Sequence, residues 1–215
     1  MKVIGLTGGI GTGKSTAAAY LKRRGFAHID ADEISRGITA AGSDMLPALN
    51  KVFGPDGPCG EKGREILNDD GSLNRKALAS LVFTDSRKKA RLDDMMFREI
   101  IAEIDRQIAA YRNDEDGTYA GILLDAPLLF EAGLDSRCDQ VVVLVADEAV
   151  RIERVCSRDS VGKQDVRNRI NSQMKDEDKR KKADFIVDNS RGLDELKARL
   201  EELIEKLSVV ENEIS

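Results

Sequence analysis

The residues with the clearest chemical meaning form a glycine-rich run that ends in a lysine and a serine. Residues 8–16 read Gly-Gly-Ile-Gly-Thr-Gly-Lys-Ser-Thr and match the P-loop pattern Gly-x-x-x-x-Gly-Lys-Ser/Thr. Glycine lets successive backbone N–H groups converge on phosphate oxygens. We expect Lys14 to reach the β- and γ-phosphates and Ser15 to offer its hydroxyl to Mg²⁺. The run therefore predicts binding of a nucleoside triphosphate, with the phosphates contacted by Gly11, Thr12, Gly13, Lys14, Ser15 and Thr16.

Carboxylates follow two predicted strands. Asp30 and Asp32 come at the end of one short strand, and Asp125 closes the apolar run 121–125. Ligands of parallel α/β sheets lie at the carboxyl ends of the strands, and Asp125 is placed like a Walker B aspartate that holds Mg²⁺. Asp30 or Asp32 could orient or deprotonate an acceptor hydroxyl. The alternative for Asp32 is the capping of a helix that begins at Glu33, and the residues alone leave both roles open.

Basic residues crowd the last third of the chain. Arg154 and Arg158 are four residues apart, which places them on one helical face, and residues 163–182 are almost entirely polar and rich in basic side chains. We interpret residues 159–183 as a lid whose closure brings arginine to the phosphates and offsets charge in the transition state. The alternative is a solvated helical hairpin with ordinary surface charge.

The elements that must position these residues alternate between strand and helix. Near-continuous apolar runs predict strands at residues 2–7, 26–30, 121–125, 140–145 and 185–187, with helices at 15–24 and 193–207. This alternation predicts an α/β fold, a mainly parallel five-stranded sheet flanked by helices.

The middle of the chain has helical spacing and no strand pattern. Helices are predicted at residues 45–53, 74–83 and 86–112, and a Gly/Pro/Asp-rich surface loop at 54–71. In the longest helix an apolar residue recurs every four positions, at Leu92, Met96, Ile100, Ile104 and Ile108. We therefore expect a single domain over 1–215, in which a nucleotide-binding core (1–40 and 116–215) is interrupted by a helical insertion (41–115).

Composition narrows the possible partners and location. A net charge of −5 gives no general basic surface, so we expect no nucleic-acid partner. The chain lacks an apolar run of membrane-spanning length and a signal-peptide layout, so we expect no membrane partner. Three scattered cysteines argue against disulfides and favour a reducing, cytoplasmic location. His28 is the single histidine, which argues against a His-based metal cluster, and we interpret it as a strand-edge residue.

The motifs in their order along the chain resemble the dephospho-CoA kinase family. They are the P-loop, Asp30-Ala31-Asp32, Pro127-Leu128-Leu129-Phe130-Glu131, Arg154 with Arg158-Asp159, Gln173, Ala183-Asp184 and Asn189. The resemblance extends from residue 2 to about residue 203. It implies transfer of the ATP γ-phosphate to the ribose 3′-hydroxyl of dephospho-CoA, the final step of coenzyme A biosynthesis, with ATP as co-substrate and Mg²⁺ as cofactor.

The resemblance also implies roles for individual residues. Asp32 would be the catalytic base or orienting residue, aided by Lys14 and Arg154. Arg158 and Asn189 would bind ATP, with Asn189 near the adenine. Mg²⁺ would be held by Ser15 and Asp125. The insertion would cover the acceptor, which would contact Asp32, Arg75, Pro127, Leu128 and Glu131.

Two departures from the family pattern fall in the acceptor region. Phe97-Arg98 stands where the family usually has His-Pro, and loss of the proline predicts a straighter helix. The loop at 54–71 is also longer than the resemblance leads us to expect.

Other readings remain open at this point. A P-loop kinase of another nucleoside or nucleotide-like small molecule would keep every ATP-side residue and differ at the acceptor. A GTPase-type switch lacks support, because no Asn-Lys-x-Asp motif occurs late in the chain. A pseudo-enzyme that binds nucleotide without turnover is the third alternative. We expect a monomer or a weak homo-oligomer.

Overall fold

The computed structural model describes residues 1–83, 85–115 and 117–212. The chain divides into two compact units. The first comprises Met1–Asp30 and the described residues from Ile108 onward, and the second comprises Ala31–Gln107. The second unit starts and ends earlier than the insertion predicted at 41–115, and its role in acceptor binding stays a prediction.

The first unit is built on a five-stranded sheet. The strands are β1 (Val3–Gly8), β2 (Phe26–Asp30), β3 (Gly121–Asp125), β4 (Gln140–Val145) and β5 (Phe185–Asp188). They lie in the order β2-β3-β1-β4-β5, and every pair is parallel. All residues of β1 and β3 are buried, as expected for apolar strands covered on both faces. The predicted parallel sheet is confirmed.

Helices make up most of the rest of the described chain. They are α1 (Lys14–Arg23), α2 (Ala31–Ile38), α3 (Met45–Phe53), α4 (Arg75–Phe83), α5 (Ser86–Arg112), α6 (Glu148–Asp159), α7 (Lys163–Asn171), α8 (Asp176–Lys181) and α9 (Leu193–Asn212). The apolar faces of α1 and α9 pack with β1, β3 and β4 in one core cluster. Of the leucines of α9, Leu196, Leu200, Leu203 and Leu207 are buried, whereas Leu193 is 53% exposed. None of the helices in the described part of the chain has both the length and the apolar character of a bilayer-spanning segment.

The second unit has its own core, formed around Leu49, Phe53, Ile66 and Leu81. Ile66 is fully buried although it lies in the predicted surface loop 54–71, so that expectation is wrong for this residue. Cys59 packs against the same core, so the loop is attached at two points. Helix α5 continues without interruption through Phe97-Arg98, as the absence of proline predicts.

Candidate active site

The P-loop connects the central strand to the first helix. β1 ends at Gly8 and α1 begins at Lys14, so residues 9–13 form a loop at the carboxyl end of the sheet. Gly11 and Gly13 have φ values of 80° and 90°, in the left-handed region that favours glycine. The buried Thr12 hydroxyl donates a hydrogen bond of 2.8 Å to the Gly9 carbonyl. The loop therefore stands at the N-terminus of α1, where backbone N–H groups and the helix dipole favour phosphate.

Lys14 and Asp125 form an ion pair beside the loop. Asp125 ends β3 and is only 4% exposed, and the Lys14 ammonium donates a hydrogen bond to its Oδ1. Burial opposes ionisation of Asp125, but the His28 imidazole and the Lys14 charge favour it more strongly. The balance holds the pKa of Asp125 below its ordinary value. The predicted phosphate site thus contains a buried, ionised carboxylate beside the Lys14 side chain.

A histidine and a second aspartate join Asp125 at this edge. His28 and Asp30 are alternate residues of β2 and therefore share a face, and Asp30 is the register partner of Asp125. One potential ligand atom from each of the three residues lies within 4.8 Å of the others, and His28 Nε2 is 3.5 Å from Asp125 Oδ2. β2 is an edge strand, as expected for His28. The structure thus places the single histidine beside two carboxylates, and whether this group binds a metal stays untested. The spacing of His28 and Asp30 indicated that these two share a face, but not that Asp125 lies next to them.

The two predicted arginines differ in their surroundings. Arg154 is half-buried on α6, before the predicted lid at 159–183, and its Nη1 is 3.5 Å from the Gly11 carbonyl oxygen. Arg158 is exposed, and its Nε and Nη2 donate to Asp159 at 2.6 and 3.1 Å. The hydrogen bond from Arg158 holds the pKa of Asp159 below its usual range. The structure brings Arg154 to the loop, whereas Arg158 contacts its neighbour.

Asn189 contacts the P-loop from the end of β5. It is buried, and its Nδ2 donates a hydrogen bond of 2.8 Å to the Thr12 carbonyl oxygen. Its Oδ1 is buried and accepts no hydrogen bond from the described residues. The side chain thus lies beside the phosphate site with one acceptor unused, and its contact with adenine stays a prediction.

The residues predicted to bind the acceptor occur in both units. In the first, the Pro127 carbonyl accepts a bond of 3.2 Å from Thr7, and Leu128 is 48% exposed. Glu131 Oε1 accepts a bond of 3.3 Å from the Met174 N–H.

In the second unit, Arg75 Nη2 donates to Thr39 Oγ1 at 2.7 Å. Asp32 is exposed and lies in the first turn of α2, because this helix begins at Ala31 rather than at Glu33. The roles of all these residues toward an acceptor stay predictions.

Sequence reasoning missed Arg151 and assigned Gln173 no role. Arg151 is 3% exposed, and its Nε donates to the Ile10 carbonyl at 2.8 Å. Gln173 Oε1 accepts a bond of 2.9 Å from the Ile10 N–H. Arg151 and Gln173 are far from Ile10 in sequence, and no local sequence pattern predicts contacts of this kind.

Comparisons with known proteins match nearly the whole chain. The family model described as CoaE, dephospho-CoA kinase, matches residues 2–195. A dephospho-CoA kinase of Corynebacterium glutamicum is 40% identical over 207 residues, which cover 96% of this chain and 100% of the relative. The solved dephospho-CoA kinase of Campylobacter jejuni has a TM-score of 0.71 and 26% identity, covering 97% of this chain and 98% of that one. A crystal structure from Thermus thermophilus has a TM-score of 0.76 and 29% identity, covering 96% and 97%.

The matched range includes residues of both units. It takes in the P-loop, Asp32, Asp125, Arg154 and Asn189. The resemblance first indicated by the motifs is therefore confirmed. The chain belongs to the dephospho-CoA kinase family.

Proposed function

We propose that this chain transfers the γ-phosphoryl group of ATP to the ribose 3′-hydroxyl of dephospho-CoA, the final step of coenzyme A biosynthesis. The observation that carries the proposal is the Lys14–Asp125 pair beside a formed P-loop, in a chain whose family match extends over residues 2–195. A kinase of a different nucleoside-like acceptor is not favoured, because the family model and the curated relatives carry the same name.

Positioning and charge neutralisation supply most of the rate in phosphoryl transfer. Backbone N–H groups of residues 11–16 would bind the phosphates, and the Lys14 ammonium would exchange part of its contact with Asp125 for the β- and γ-phosphates. Arg154 would approach the same phosphates from α6, since its guanidinium is 3.5 Å from the Gly11 carbonyl oxygen. Arg158 would bind ATP after its hydrogen bonds to Asp159 are broken. Asn189 would contact the adenine through Oδ1.

The donor atoms fit Mg²⁺. Ser15 is exposed in the first turn of α1, and the low pKa of Asp125 keeps its carboxylate ionised. A hydroxyl and a carboxylate, completed by phosphate oxygens and water, are the all-oxygen set that Mg²⁺ prefers. When bound, the ion would neutralise charge on the phosphates. We assign Ser15 and Asp125 as its protein ligands.

Asp32 is the proposed base or orienting residue for the 3′-hydroxyl. The chain passes from Asp30 at the end of β2 into the first turn of α2, where Asp32 is exposed. A carboxylate within hydrogen-bond reach of the hydroxyl would align it and accept its proton. Pro127, Leu128, Glu131 and Arg75 are proposed contacts of the acceptor, residues 41–115 its cover, and residues 159–183 a lid that excludes water.

The remaining assignments concern assembly and location. For assembly, we propose a monomer or a weak homo-oligomer. All three cysteines are free, which supports a reducing, cytoplasmic location.

The test is ATP consumption with Mg²⁺ in the presence of dephospho-CoA, adenosine, AMP or pantetheine. We expect stimulation by dephospho-CoA alone, with phosphorus NMR of the product locating the new phosphate on the 3′-oxygen. Lys14→Met serves as the inactive control. Stimulation by a different acceptor, or ATP turnover indifferent to dephospho-CoA, would reject the proposed substrate.

A further inference from the structure

Ile10 of the P-loop is held by two side chains from outside the loop. Its N–H donates to Gln173 Oε1 at 2.9 Å, and its carbonyl accepts from Arg151 Nε at 2.8 Å. Both backbone hydrogen-bonding groups of this residue are therefore satisfied by side chains more than 100 positions away in sequence.

Arg151 fits closely behind the loop. Its side chain is 4% exposed, and its Nη1 pairs with Asp176 Oδ2 at 2.7 Å. A Cβ on Gly9 would overlap the guanidinium, and a Cβ on Gly11 would lie 2.8 Å from the Arg151 carbonyl oxygen. The absence of side chains at these two glycines is what lets Arg151 approach. One buried guanidinium thus joins the P-loop to the start of α8.

Gln173 and Asp176 belong to a segment that is itself anchored. We call residues 173–179 the tether segment, and it lies within the proposed lid. The Met174 N–H donates to Glu131 at 3.3 Å, and the Lys179 ammonium is 3.8 Å from the same carboxylate oxygen. Lys179 is 1% exposed, which does not fit a solvated hairpin, the alternative to the lid. The tether segment is therefore fixed to the core of the first unit at several points.

We propose that Arg151 and Gln173 are positioning residues that hold the P-loop in its ATP-binding shape before ATP arrives. The inference rests on the proposed function only in that the loop is an ATP site. A loop without these bonds must be ordered when ATP binds, and that entropic cost lowers affinity. Neither side chain is assigned a contact with dephospho-CoA, and the bond from the tether segment to Glu131 is donated by the Met174 backbone, so we expect the larger effect on ATP. The tether segment thereby couples the position of the lid to the shape of the P-loop.

The experiment compares Gln173→Leu, Gln173→Glu and Arg151→Met with the wild-type chain. Leucine removes the acceptor for the Ile10 N–H, whereas glutamate replaces the amide oxygen with a carboxylate oxygen that can accept the same bond. Arg199→Met is the control, since Arg199 on α9 bonds Glu195 and takes no part in the site. The measurements are the ATP dissociation constant by titration, the KM for each substrate, and hydrogen exchange of the Ile10 amide.

We expect Gln173→Leu and Arg151→Met to raise the ATP dissociation constant and KM about tenfold, the scale of one lost buried hydrogen bond. The KM for dephospho-CoA stays within about twofold of wild type. General destabilisation would not raise the KM for ATP while leaving the KM for dephospho-CoA almost unchanged. Ile10 exchanges faster in Gln173→Leu and stays slow in Gln173→Glu and Arg199→Met. Unchanged ATP affinity in Gln173→Leu, or an equal rise in both KM values, would overturn the inference.

The binding and exchange measurements need no acceptor. If the wild-type chain binds ATP but is not stimulated by dephospho-CoA, the proposed function fails while the positioning role is still tested by affinity and exchange. Gln173 is half-buried, so its variants keep the inference testable even if Arg151→Met does not fold.

Discussion

Lys14→Met is expected to destabilise the chain in the absence of any ligand, in a way that depends on pH. Asp125 and Lys14 have side chains 5% and 15% exposed, so methionine leaves a buried carboxylate without its ammonium partner. Breaking a buried pair in this manner costs about 3 kcal/mol. For a domain of this size that corresponds to a fall of about 6–12 °C in Tm.

The pH dependence follows from the pKa of Asp125. Burial opposes its ionisation, His28 and Lys14 favour it, and the pKa in the folded wild type is below the ordinary value. Ionised Asp125 therefore stabilises the wild type above its unfolded-state pKa of about 3.9, and this contribution is lost as the pH falls through the folded pKa. Loss of Lys14 raises the folded pKa. The destabilisation of the variant should be greatest at pH 7 and shrink toward pH 4.5 as the carboxylate protonates.

Urea denaturation followed by circular dichroism, without nucleotide, measures this difference at each pH. The double variant Lys14→Met/Asp125→Asn is the matched control, because it removes both charges together. We expect it to recover stability to within about 1 kcal/mol of wild type while remaining inactive. The reasoning is refuted if the double variant is no more stable than Lys14→Met, or if the loss is the same at pH 4.5 and pH 7.

Three further predictions concern turnover and thiol chemistry. Asp32→Asn should lower kcat by about two to four orders of magnitude with ATP affinity unchanged, and near-normal turnover would remove Asp32 from its proposed role. Arg154→Ala should reduce kcat more than it weakens ATP binding, as measured by steady-state kinetics and titration; unchanged kcat would exclude it from the site. Burial raises the pKa of the Cys138 thiol to about 12, which lowers the fraction present as the reactive thiolate. At pH 8 a neutral disulfide reagent should therefore modify Cys138 about 10³-fold more slowly in the folded chain than in urea. Peptide mass spectrometry would follow the reaction, and similar rates in both states would contradict this.

The strands were predictable because burial on both faces leaves a continuous apolar signal. β2, β3 and β4 begin and end where the sequence predicts, and β1 and β5 differ only at their ends. The P-loop was equally predictable from the sequence, because its glycines, Lys14 and Ser15 belong to one local motif. Asp125 followed from its place at the end of a strand.

The side chains that hold the P-loop in place were not predictable from apolar runs or local motifs. Arg151 and Gln173 reach Ile10 across separations of 141 and 163 residues, and neither has a local motif. The position of His28 beside Asp125 was not predicted, because a lone histidine in a strand does not indicate which residues the neighbouring strand places next to it. Ile66 and Leu67 are the aliphatic residues of a Gly/Pro-rich stretch, so composition placed them at the surface although Ile66 belongs to a core and Leu67 packs against it. Such contacts depend on tertiary structure rather than on spacing.

The position of β1 in the sheet has a consequence for synthesis on the ribosome. Its hydrogen-bonding neighbours are β3 and β4, which begin at Gly121 and Gln140, and β2 cannot pair with it because β3 lies between them. Both β1 and β2 are therefore without a strand partner until β3 has been synthesised, a state prone to aggregation. Asn189, which bonds Thr12, emerges later still. The P-loop is thus synthesised before β3, β4 and Asn189, and the segments that surround it are completed only by these later parts of the chain.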